Sequence, residues 1–257
     1  MSDHVRVERN GAWLSITLAR PERRNAITVA MYSALVEAVE QAADDPSVRV
    51  ISFRGEGQDF AAGNDLADFL TAMPQDRSEI PVWRFLRALA ACETPLVAAV
   101  HGNCVGIGTT MLLHCDLVVA EDNARFSMPF VDLGLVPEAA SSLLLPRLAG
   151  QRLAARYLLL GEAFGPSEAA AIGLVSHRAV AGQLDAELQR LVEILLSKPP
   201  EALRQTQKLL RGGARDEILD RMQIEAGLFA ERLTSSEVKE AITAFFEKRK
   251  PEFSRLS

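Results

Sequence analysis

Two glycine-punctuated stretches and one isolated acid are the residues whose types and spacing could do chemistry. The stretches are Phe60-Ala-Ala-Gly-Asn-Asp-Leu66 and His101-Gly-Asn-Cys-Val-Gly-Ile-Gly-Thr-Thr110; the acid is Glu138, directly after Pro137. Each stretch puts small residues where a strand gives way to a helix. A helix start leaves several backbone N–H groups unpaired, and the helix dipole favours negative charge there. Glycine lets a ligand approach the main chain closely. Two such N–H groups converging on one point would stabilise an enolate or a tetrahedral oxyanion. Taken singly, either stretch serves as well for a tight packing turn. Glu138 also has a plain reading: an acid in the first turn of the apolar helix around Leu143-Leu144-Leu145 is favoured by the dipole and needs no chemistry.

Other chemistries find no support. Gly106-Ile-Gly108 lacks the third glycine of a dinucleotide fingerprint, and no GxxxxGK[ST] phosphate loop occurs. No GxSxG elbow is present for a hydrolase nucleophile. His4, His101, His114 and His177 are too far apart in the chain to suggest a metal site, so no metal is expected. An oxyanion site served by a carboxylate base is what remains.

The elements that must position these residues alternate. Val5–Glu8 and Leu14–Leu18 flank Asn10-Gly11 and predict a β-hairpin. A helix follows with Thr28 as its cap and Met31, Leu35, Val39 and Ala42 on one face, stopped at Asp44-Asp45-Pro46. Val48–Phe53, Pro95–Val100 and Asp116–Ala120 read as buried strands, and Trp83–Cys92 and Val105–His114 as helices. Asp65 suits the cap of a helix after the first glycine stretch. This alternation predicts an α/β fold with a parallel sheet covered on both faces. The polar, proline-bounded stretch from Met73 to Pro81 is a candidate lid, with Glu79 solvated beside it.

From Leu184 the pattern turns helical, with Leu184, Leu188, Leu191 and Leu195 on one stripe. Pro199-Pro200 breaks it, three helical stretches follow, and Thr234-Ser-Ser-Glu237 matches a capping box for the last. We divide the chain into a β/α core over residues 1–195 and a C-terminal helical segment over 196–257. The apolar residues of that segment either join protomers or cover their own core.

With 48% apolar and 24% charged residues among 257, the chain has the composition of a globular protein. A net charge of −6 argues against nucleic acid as a partner. No apolar run approaches the ~18 residues needed to span a bilayer, so no membrane association is expected. No secretory signal is visible, and Cys92, Cys104 and Cys115 form no CxxC pair, so buried reduced thiols and a cytoplasmic location are expected.

Together with Arg20-Pro-Glu-Arg-Arg-Asn-Ala-Ile27, Cys115-Asp-Leu-Val-Val-Ala120, Ala124-Arg-Phe-Ser127 and Phe246-Glu-Lys-Arg-Lys-Pro251, the two loops resemble the crotonase (enoyl-CoA hydratase/isomerase) superfamily, in order along nearly the whole chain. The resemblance implies a crotonase (ClpP-like) spiral of ββα turns with a C-terminal helical trimerisation region. It implies an acyl-CoA thioester substrate, no cofactor beyond the coenzyme A carried by that substrate, and a homotrimer or a hexamer built as a dimer of trimers. It places the oxyanion-hole N–H groups at Asn64 and Ile107. Arg23, Arg24, Ala26 and Ala62 match segments that hold the nucleotide end of CoA, and Lys248 a lysine that reaches a CoA phosphate. Gly63, Asp65, Leu66, Gly106 and Phe130 complete the expected acyl-CoA site.

The acids choose the reaction. The two glutamates of crotonase-type hydratases fall on Thr110 and Phe130, neither of which can activate water. Glu138 resembles the catalytic base of the Δ3,Δ2-enoyl-CoA isomerase branch. A single carboxylate can take the α-proton of a 3-enoyl-CoA and return it at the γ-carbon, with apolar neighbours such as Phe130 and Val136 raising its pKa. An enoyl-CoA hydratase and a non-catalytic acyl-CoA-binding homologue are the alternatives. Asp65 is read as a cap before a catalyst, Asp132 as a surface or capping residue, and His101 as the donor of a structural hydrogen bond.

Overall fold

The computed structural model describes residues 2–71 and 80–255. Its main sheet runs in the order β1 (Val5–Asn10), β2 (Trp13–Leu18), β3 (Val50–Gly55), β4 (Leu96–Val100), β6 (Leu117–Glu121) and β8 (His177–Ala179). The predicted hairpin forms, Val5 facing Leu18 and Asn10 facing Trp13. The remaining pairings in the sheet are parallel.

β4, in the middle of the sheet, is apolar throughout because both its faces are covered. In β4, Leu96, Ala98 and Val100 join the main core, while Val97 and Ala99 point the other way. That second face packs against Leu184, Leu188, Leu191 and Val192 of α8 (Leu184–Ser197). The leucine stripe of α8 therefore covers the chain's own sheet.

A smaller sheet pairs β5 (Asn103–Val105) with β7 (Arg125–Ser127), extended by the bridges Ala61–Cys104 and Phe126–Phe164. The chain winds in turns of one long strand, one short strand and a helix. β4, β5 and α4 (Ile107–Thr110) form one such turn; β6, β7 and α5 (Ser141–Ala149) form another. This is the expected ββα spiral.

Three boundaries differ from expectation. The helix predicted over Val105–His114 is shorter, because Val105 pairs with Ser127 in the small sheet and residues Met111–His114 tighten into a 3₁₀ turn. The final helix, α11 (Ser236–Glu247), is capped by Ser235 and not by Thr234: the Ser235 hydroxyl accepts the Val238 N–H at 3.2 Å. Residues 73–79 of the proposed lid lie outside the described residues, and Pro81 opens α3 (Pro81–Ala91). Elsewhere the caps agree. Thr28 accepts the Met31 N–H at the start of α1 (Val29–Asp44), and Asp65 accepts the Asp68 N–H at the start of α2 (Leu66–Thr71).

Two C-terminal helices are fixed to the core by different means. α10 (Arg215–Leu233) packs on α3 and α5, with Trp83 edge-on to Phe229. α9 (Pro200–Gly212) is tied down by Arg211, whose guanidinium donates to Asp116 and to the carbonyls of Leu89, Cys92 and His114. Asp116 also accepts the Leu96 N–H at 2.7 Å and the Gln207 amide at 2.9 Å. Asp116→Ala leaves those donors unmatched in a half-buried site. It is expected to lower unfolding free energy by about 2–3 kcal/mol, read from the shift in urea midpoint.

Cys92, Cys104 and Cys115 are free thiols. No helix among the described residues is long and apolar enough to cross a membrane.

Candidate active site

The site begins with a buried asparagine. Asn25 is fully buried; its amide donates to the carbonyls of Glu56 and Asp59, and its Oδ1 accepts the Arg20 N–H. These bonds hold Arg24 and Asn25 in consecutive left-handed conformations. The loop so shaped takes the Ala62 N–H on the Arg24 carbonyl at 2.9 Å, and Ile27 brackets the first glycine stretch. Ile27 N–H donates to Gly63 O, and Asp65 N–H donates to Ile27 O. The amide between them, Asn64 N–H, therefore points away from this pairing.

The second stretch is pressed against the first. A Cβ on Gly63 would come within 3.2 Å of Val105 O, and one on Gly106 within 4.0 Å of Gly63 Cα. Both glycines have positive φ, +91° and +56°, a region an L side chain rarely adopts. Gly106 N–H is tied to Ser127 O, and Ile107 is the first residue of α4. Among the described residues, neither Asn64 N–H nor Ile107 N–H donates to a protein acceptor.

Both open into one cavity of about 930 Å³. Its wall includes the expected residues Arg23, Ala26, Ala62, Gly63, Asn64, Asp65, Leu66, Gly106, Ile107 and Phe130. Asp65 is paired with Arg20 at 2.7 Å, which with the bonds at the helix cap holds its carboxyl below the usual carboxylate range against the opposing effect of partial burial. Asp132 is exposed at the rim. His101 Nε2–H donates to Gly57 O at 2.9 Å, the structural bond expected of it.

Three expected residues are not on the wall. Arg24, turned outward by its left-handed backbone, has a side chain 73% exposed and 3.9 Å from Asp59. Lys248 caps α11 in a left-handed conformation and is exposed; its neighbours Phe245 and Phe246 reach the cavity in its place. Glu138 lies one layer behind the wall. It is fully buried, beside Tyr32 and Thr110, and Tyr32 in turn donates its hydroxyl to Asn64 Oδ1.

Glu138 also sits outside the helix it was expected to begin. α5 starts at Ser141, after Ala139 and Ala140 in left-handed conformations. The dipole explanation for this acid therefore does not apply. Both carboxyl oxygens and the Thr110 hydroxyl lack hydrogen-bond partners among the described residues. Buried polar groups are rarely left so without a functional reason. Burial, reinforced by the charge of Glu225, pushes the Glu138 carboxyl up to about 8, with Thr110 acting weakly against it.

That shift has a stability consequence. The folded protein keeps Glu138 protonated to about pH 8, whereas the unfolded chain releases the proton near its ordinary value of 4.5. Folding then carries an extra proton across this window, so the contribution to stability is full below pH ~4.5 and lost as pH rises through 8. Unfolding free energies of wild type from urea melts are expected to fall relative to Glu138→Gln over this range, by a few kcal/mol in total.

Several site residues had no local signature. Phe229, Leu233, Val238 and Ile242 wall the cavity from α10 and α11. Their apolar spacing marks a buried helix face but not which cavity it faces. Glu225 carried a readable signal: Met222, Glu225 and Phe229 place an acid on a buried helical stripe.

Residues 8–255 match the family described as Enoyl-CoA hydratase/isomerase, and the chain belongs to it. It is 34% identical to the 2,3-dehydroadipyl-CoA hydratase of Escherichia coli, over 96% of this chain and 97% of that one. It is 32% identical to enoyl-CoA delta isomerase 2 of Rattus norvegicus, over 97% of this chain and 65% of that one. The crystal structure of an enoyl-CoA hydratase/isomerase from Pseudoalteromonas atlantica superposes with a TM-score of 0.93 at 42% identity, covering 98% of this chain and all of that one. The architecture is thus the crotonase α/β fold, and the protein is an acyl-CoA enzyme of this family.

Proposed function

We propose that this protein shifts the double bond of a 3-enoyl-CoA to give the 2-trans-enoyl-CoA, with Glu138 as the sole acid and base. The observation that carries this reading is the buried Glu138 carboxyl, unpartnered and close behind two free backbone N–H groups. The thioester oxygen accepts from Asn64 N–H and Ile107 N–H, which stabilise the enolate formed as the α-proton leaves. Glu138 takes that proton and returns it at the γ-carbon. To do so the carboxyl turns towards the cavity, away from the neighbouring Thr110 hydroxyl. The Arg23–Ala26 loop and Ala62 hold the CoA end, and Phe130, Phe229, Leu233 and Ile242 surround the acyl chain. Thr110 and Phe130 supply no second acid, so water is not activated.

Incubation with 3-hexenoyl-CoA and with crotonyl-CoA tests the proposal. Isomerisation of the first without hydration of the second is expected. Hydration of crotonyl-CoA alone replaces the reading with a hydratase, and binding without turnover of either leaves an acyl-CoA-binding protein. The strongly exposed Leu209 and Leu210 support assembly as a homotrimer or hexamer.

A further inference from the structure

The turn that carries Glu138 is built against its own backbone preference. Ala139 and Ala140 have φ of +60° and +54°, values that L residues with a side chain avoid. Such a conformation persists only where its surroundings hold it. Three groups do so here. His114, from the 3₁₀ turn after α4, donates Nε2–H to Ala139 O at 2.8 Å, and burial pushes its imidazole down to about 4, so it remains neutral. Ser141 donates its hydroxyl to Glu138 O at 2.6 Å. The third is Glu225, from the middle of α10.

Glu225 makes the most extensive of these contacts. Its Oε2 accepts the Ala140 N–H at 2.6 Å, and its Oε1 accepts both the N–H and the hydroxyl of Ser142, at 3.0 and 2.5 Å. Every contact is a donor aimed at the carboxyl, the arrangement that suits an ionised acid. Glu225 is 4% exposed and does not line the cavity, so no contact with substrate explains it. A neutral glutamine could not replace it, because its NH₂ group would face an N–H on one side.

We infer that Glu225 is the positioning residue of this enzyme: from α10 it clamps the strained turn that presents Glu138 and sets a second carboxyl beside it. The inference rests on the reading of Glu138 as the base. The groups that bear on Glu138 from each packed element are Tyr32 on α1, Thr110 on α4, His114 through the Ala139 carbonyl, and Glu225 on α10, which is itself offset by Arg221. Among the titratable ones, Glu225 is the second carboxyl; burial raises its own pKa, against the hydrogen bonds from Ser142 and Ala140 that favour its charged form. Like charge disfavours ionisation of Glu138, which makes its carboxylate a stronger proton acceptor once it has ionised.

Two readouts test this. Difference infrared titration follows the Glu138 carboxyl band, assigned by its loss in Glu138→Gln, and requires no turnover. In Glu225→Gln the protonation midpoint is expected to fall by about one pH unit, a tenfold change in the protonation equilibrium. An unmoved midpoint overturns the inference whatever the activity. Ser142→Ala, a milder change that retains Glu225, is expected to lower kcat on 3-hexenoyl-CoA roughly tenfold with KM within about twofold. Unchanged kcat there overturns the positioning role, even if Glu225→Gln fails to fold. If Glu138→Gln stays active while the midpoint still moves in Glu225→Gln, the base assignment fails and the clamp stands. If Glu138→Gln is inactive and the midpoint does not move, the clamp fails and the base assignment stands.

Discussion

Glu138→Gln is expected to fold and to isomerise 3-hexenoyl-CoA roughly 10³- to 10⁴-fold more slowly than wild type. The loss should lie in kcat with KM nearly unchanged, because Glu138 stands behind the cavity wall and contributes little to ground-state binding. The amide keeps the size of the side chain and removes only its ability to carry a proton between carbons. In the wild type kcat/KM should rise with pH and level off above about 8, as the free enzyme's carboxyl ionises. Stopped assays across pH 5.5–9 check both points. Turnover by Glu138→Gln within a fewfold of wild type would remove Glu138 from the mechanism.

Ile107→Pro should be the second most damaging single change. Ile107 is the first residue of α4, a position where proline is tolerated because its N–H has no helical partner. Gly106 precedes it at φ +56° and ψ −119°, a conformation open to glycine that does not clash with a following ring. The substitution therefore deletes one N–H with little backbone disturbance. Loss of one oxyanion donor is expected to cost about 10²- to 10³-fold in kcat. Because Ile107 is also buried, Ile107→Ala serves as the comparison. It removes side-chain volume but keeps the donor, so the kcat gap between alanine and proline isolates the N–H. Equal kcat in the two variants would show that this amide does not hold the oxyanion.

The features legible in the sequence were those fixed by short-range pattern. Buried parallel strands announce themselves as apolar runs, so Pro95–Val100 and Asp116–Ala120 were placed within a residue or two. Caps such as Thr28 were readable because one side chain and one N–H three residues on decide them. The glycine loops were readable as possible anion sites, since positive φ at Gly63 and Gly106 demands that residue. What escaped depended on contacts distant in sequence. Arg24 and Lys248, expected at the CoA end, are off the cavity wall, each on left-handed backbone that nothing local announces in arginine or lysine. Tyr32 reaches Asn64 across 32 residues, and Glu225 reaches Ala140 across 85. Partnerships of that range are settled by tertiary packing.

The cavity has a further property that follows from where its walls come from. One side is built from residues between Arg20 and Leu135, the other from Phe229 to Phe246. An occupant is therefore a strut between distant parts of one chain, and its binding energy works against fraying of the last two helices. Amide exchange in α10 and α11 should slow when the cavity is filled, while the sheet beneath α8 exchanges at its former pace. A chain cut before α10 would lose one side of its vessel and keep the loops of the other, a cradle with no far wall.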